Sequence, residues 1–70
     1  MRYREAARKL AAMGCIEIAR GGGRAHRKWA NAGRTLITIL PDHGGKDLKS
    51  GTLRAVVKQL GLKGSDFIKA

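Results

Sequence analysis

Glycine and proline cut this chain into short pieces, and no other feature restricts its fold as much. Gly14, the run Gly21, Gly22 and Gly23, then Gly33, Pro41 and Gly61 stand between the apolar segments, none of which approaches the ~20 residues that cross a bilayer. Each piece must therefore bury its apolar side against the others. Residues 3–13 (YREAARKLAAM) set Tyr3, Ala6, Ala7, Leu10 and Met13 at helical spacing, which predicts an amphipathic helix stopped at Gly14. In CIEIAR (15–20), Ile16 and Ile18 alternate with Glu17 in strand fashion, and the three glycines then break the pattern. AHRKWA (25–30) reads as a second strand, and TLITIL (35–40), rich in β-branched residues, as a third. NAGR between them predicts a hairpin turn with Gly33 at positive φ. Pro41 ends the sheet and DHGGKDLK (42–49) is a polar loop. Ser50 is placed to cap a second helix, SGTLRAVVKQL (50–60), with Leu53, Val56, Val57 and Leu60 on one stripe and Gly61 as its stop. SDFIKA (65–70) predicts a terminal helical turn capped by Ser65, with Phe67 and Ile68 packing back.

The order is α-β-β-β-α with a terminal turn. Short connections favour an antiparallel three-stranded meander, and one apolar stripe per helix places both helices on the same sheet face. The expected fold is a single α+β two-layer domain spanning residues 1–70. Its expected core is Leu10, Met13, Val56, Val57 and Leu60, with Ile16 or Ile18 and with Ile37 and Ile39. A domain this small folds on a thin margin.

Charge narrows the function. Fifteen Lys and Arg oppose five Asp and Glu, a net +10, and such self-repulsion points to a polyanionic partner, above all nucleic acid. Neither helix has the Trp, Phe and Leu face of a membrane-surface helix. Cys15, the one cysteine, has no partner for a disulfide within the chain. With no signal-peptide pattern at the start, this suggests a reducing, cytoplasmic setting.

Within that charge, His26 stands beside Arg24, Arg27 and Lys28. Cleavage of RNA by its own 2′-hydroxyl needs a group that moves a proton near neutrality, and histidine, with an ordinary pKa of about 6.5, suits the task. Neighbouring cations stabilise the charge that builds on the phosphoryl oxygens. Strand alternation sets His26 and Lys28 on one face, with Arg27 and Trp29 on the other. If Trp29 packs beneath the helices, the imidazole faces outward. Chemistry alone makes His26 eligible, no more. Lys46, Lys49 and Arg54 gather at the start of the second predicted helix and could bind phosphate. Arg4, Arg8 and Lys9 could extend that surface, and Arg20 and Arg24 could clamp a backbone. His43, in the polar loop, could touch RNA but reads first as a solvent-facing side chain. Paired cysteines, HExxH and compact ligand spacing are all missing, so no metal is expected. The glycine runs match neither GxGxxG nor GxxxxGK[ST], so no nucleotide cofactor is expected either.

The element order resembles the double-stranded-RNA-binding fold. Two motifs resemble a narrower group: GGGRAHRKW, a glycine-rich turn leading to His, two residues and an aromatic, and PDHGGKDLKSGTLRAVVKQLGL. Both are similar to segments of the HicA-type toxins, the YcfA-like mRNA interferases, and together they span most of residues 3–62. The resemblance implies a metal-independent endoribonuclease that cuts mRNA, with His26 catalytic and a HicB-type antitoxin covering the active face. The family usually has Ser or Thr directly before the histidine, where this chain has Ala25. Two other readings stay open: a non-catalytic module for double-stranded RNA, and a small basic domain for an acidic protein partner.

Overall fold

The structure, a computed structural model, describes residues 1–20, 26–42 and 45–70, with only the main chain at Ala19 and Arg20. Its elements are α1 (Tyr3–Ala12), β1 (Ile16–Arg20), β2 (His26–Ala30), β3 (Ile37–Pro41), α2 (Ser50–Gln59) and α3 (Gly64–Lys69). The strands form an antiparallel meander in the order β1-β2-β3, so β2 is central. The α-β-β-β-α arrangement read from the sequence is present, and the terminal turn is a short third helix.

The helices share one face of the sheet, and β2 shows why. Trp29 points to that side, is buried, and donates its indole N–H to the Tyr3 hydroxyl of α1 at 3.3 Å. Its register partner on β3 is Thr38, also buried, which donates a hydrogen bond to Gln59 Oε1 at the end of α2. Leu10, Leu40, Val56, Val57, Leu60 and Phe67 fill the space between. Gly14 and Gly61 follow α1 and α2 at φ +86° and +70°, the left-handed conformation in which glycine stops helices cheaply.

Several expectations fail. Ile37 and Ile39 are 55% and 46% exposed, because the register pairing Trp29 with Thr38 gives the inner side of β3 to Thr38 and Leu40. The hairpin loop fixes that register: Asn31 Oδ1 accepts from the main-chain N–H of Thr35 and Leu36, and its amide donates to Thr35 Oγ1. The left-handed residue of that loop is Arg34 (φ 56°) rather than Gly33. It is the last residue of a tight turn, closed by its own N–H on the Asn31 carbonyl at 2.9 Å. On β1 a bulge between Glu17 and Ala19 breaks the alternation, and Ile18 is exposed. Met13 is only half-buried, and Ile68 is exposed where it was expected to pack back. Ser50 and Ser65 do not cap: Lys49 and Lys63 hold the N-cap positions, without side-chain hydrogen bonds.

Lys9 departs furthest from its expected place on a basic surface. It is buried, and its ammonium donates to the main-chain oxygens of Phe67, Ile68 and Ala70 at 3.4, 2.7 and 3.2 Å. Those oxygens end α3, where a helix leaves acceptors unsatisfied and its dipole favours a cation. Lys9 thus anchors α3 to α1.

Candidate nucleic-acid interface and active site

His26 opens β2, the central strand, and its side chain is exposed. Alternation puts Lys28, also exposed, on the same outer face. Across the ladder, His26 is paired with Pro41 and Lys28 with Ile39, so among the described residues the outer face near the imidazole carries Lys28 and an apolar floor. A ligand can approach His26 from solvent.

Arg27 points the other way. Its guanidinium pairs with Glu17 at 3.5 Å and Asp42 at 3.1 Å, and it lies 5.2 Å from the centre of the Tyr3 ring. Lost hydration opposes its charge most, but Tyr3, Glu17 and Asp42 together outweigh that and raise its pKa above the ordinary arginine value. Arg27 is therefore separated from the His26 face by the thickness of the sheet, as the alternation implied. The sequence offered no sign that Glu17 and Asp42, distant along the chain, would converge on it.

Lys46 and Lys49 do come together. Both are exposed, and both line an open cavity of about 450 Å³ with Pro41, Asp47 and Thr52. Pro41 also pairs with His26, so this basic cavity borders the same end of the sheet as the imidazole. Arg54 is not part of it. It lines a different, apolar groove of about 220 Å³ between α2 and α3, with Leu53, Val57 and Phe67. Arg24, Ala25 and His43 lie outside the described residues, as does the side chain of Arg20.

Cys15 is buried, and burial pushes its thiol pKa up, away from the thiolate that nucleophilic or metal-binding roles require. Among the described residues, no three His, Cys, Asp or Glu side chains are grouped to hold a metal ion, and no helix is long and apolar enough to cross a membrane.

Comparison with known proteins now adds to this geometry. A family model described as the HicA toxin of bacterial toxin–antitoxin systems matches residues 3–62. The chain belongs to the HicA toxin family. It is also 43% identical, over 63 residues, to a protein of Pseudomonas fluorescens (strain Pf0-1) named "Probable mRNA interferase HicA", covering 90% of this chain and 98% of that one. No solved structure matches the chain. Within the HicA family match fall α1, the three strands and α2, hence His26, Lys28, Lys46 and Lys49.

Proposed function

We propose that this chain is the toxin of a toxin–antitoxin pair, an endoribonuclease that cuts mRNA with His26 as its catalytic residue and works without a metal. The observation that carries the reading is an exposed imidazole on the outer face of the central strand, in a chain of the HicA family. The relative's name, an mRNA interferase, supplies the substrate class.

In this reading His26 takes the proton of a ribose 2′-hydroxyl as that oxygen attacks the adjacent phosphorus. The 5′-oxygen leaves, and a proton returned to it completes the cut. Lys28 lies one alternation away on the same face and stabilises charge building on the phosphoryl oxygens. Lys46 and Lys49 hold a neighbouring stretch of the strand by its phosphates, with Arg24 a further contact. One acid–base group contributes about 10²–10⁴-fold, so the enzyme is slow. Arg27 and Arg54 face other parts of the molecule and are given no part in holding the scissile phosphate.

The partner is a HicB-type antitoxin, met in the cytoplasm, that covers the outer face of the sheet. Ile18, Ile37 and Ile39 are all exposed on β1 and β3, flanking the central strand that carries Lys28 and His26. An exposed apolar surface beside charge suits a protein that excludes water and RNA together, and acidic groups on it would complement Lys28.

The test is incubation of the purified chain with mRNA in excess chelator, with and without the antitoxin. Product bands should persist in chelator and disappear with antitoxin. Intact RNA without antitoxin would overturn the enzymatic reading in favour of a binding module.

A further inference from the structure

A second basic cavity lies on the opposite side of the sheet's end from His26. It measures about 610 Å³, is open to solvent, and is lined by Arg2, Tyr3, Arg4, Arg27, Asp42 and Gly45 among others. Three arginines from two parts of the chain meet there, with a single carboxylate among them. That carboxylate, Asp42, is ion-paired to Arg27, which also pairs with Glu17 just outside the wall, so Arg27 adds no uncompensated charge and the excess rests on Arg2 and Arg4. The ion pairs formed among the described residues leave Arg2 and Arg4 without a carboxylate. Both are exposed.

The cavity is also held in shape. Arg27 is fixed by Glu17, Asp42 and the Tyr3 ring, and Tyr3 is fixed in turn by the Trp29 indole. A main-chain β-bridge between Arg2 and Asp47, with the Leu48 N–H donating to the Met1 carbonyl at 2.7 Å, ties the chain before α1 to the loop before α2. Positive charge on a concave surface whose backbone and Arg27 wall are braced suits a phosphodiester, since only the Arg2 and Arg4 side chains have to be ordered when the anion arrives.

Its position supplies the ligand. Asp42 directly follows Pro41, the partner of His26, and Arg27 directly follows His26. Asp47 belongs both to the bridge with Arg2 and to the wall of the Lys46 and Lys49 cavity. The two basic cavities and the imidazole thus share one end of the sheet. We infer that the Arg2 and Arg4 cavity is a remote phosphate site, holding the RNA strand at a nucleotide away from the cut. The inference rests on the reading of the chain as an RNA-cleaving toxin, and it gives that site a longer footprint than His26 and Lys28 alone.

The test uses an RNA oligomer methylated at every 2′-oxygen, which has phosphates to bind but no nucleophile to be cut. Its affinity is measured by fluorescence anisotropy across a salt series for the parent, for Arg2→Ala with Arg4→Ala, and for a charge-matched pair at the two ends of α3, Lys63→Ala with Lys69→Ala. Losing one or two phosphate contacts should flatten the slope of log K against log salt by about 0.7–1.4 and weaken binding about five- to tenfold, against less than about twofold for the α3 pair. Arg4→Glu alone should weaken binding further than Arg4→Ala. Equal losses in the two double variants, or an unchanged slope with only antitoxin affinity reduced, would overturn the cavity's role. Cleavage of unmodified RNA by the parent, followed in parallel, separates the two ideas: cutting without a cavity effect leaves the enzyme reading intact, whereas a parent that neither binds nor cuts removes both.

Discussion

The two faces of β2 come from the same five residues and serve opposite ends. On the inner face, Arg27 is held by two carboxylates and an aromatic ring, and Trp29 is buried with its N–H satisfied. On the outer face, His26 and Lys28 stand exposed, with Ile39 opposite Lys28 and nearly half open to solvent. The inner side chains are fixed by what they touch, and the outer ones remain free to touch something else. A strand of period two lets a very small domain do both, because the residue that anchors the sheet and the residue that acts are neighbours in sequence.

Substitutions on each face should separate these roles. The largest effect is expected inside. Trp29→Ala should cost about 3–5 kcal/mol, enough to unfold most of a domain this size, and loss of the cooperative transition in chemical denaturation would show it. Thr38→Val comes next. It removes the hydroxyl that reaches Gln59 and should lower stability by about 1 kcal/mol, read as a shift in the denaturation midpoint with unchanged slope. The smallest effect on folding is expected one residue along, on the outer face. Ile39→Asp should change stability by no more than about 0.5 kcal/mol yet weaken the antitoxin about tenfold or more, since it sets a carboxylate where an apolar contact is proposed. A large loss of stability from Ile39→Asp would erase the distinction between the faces.

The same contrast explains what could be read from the chain beforehand. Element order was legible because the helices and strands have different periods and glycine or proline punctuates most of the joins. The choice of face on β3 was not. In TLITIL one phase offers Leu36, Thr38 and Leu40 and the other Ile37 and Ile39, and apolar content alone favours neither decisively. The choice is made by the partner strand, through Trp29, and by the Asn31 loop that sets the register. Lys9 was misread for a related reason. Its helix wheel gives only a direction, whereas its burial depends on the end of α3, 58 or more residues away. In the candidate site, alternation alone was enough to separate His26 and Lys28 from Arg27. The convergence of Arg2, Arg4 and Asp42 on a common cavity depends on how the chain closes in space, which no local pattern carries.

What matters most is that an imidazole on the open side of the central strand moves the proton. His26→Ala should be prepared beside the parent, and RNA affinity, cleavage rate and thermal midpoint measured on the same samples. Cleavage should fall by at least about 100-fold, with affinity within a few fold and the midpoint unchanged. Cleavage by the pure variant at the parent's rate would contradict the account.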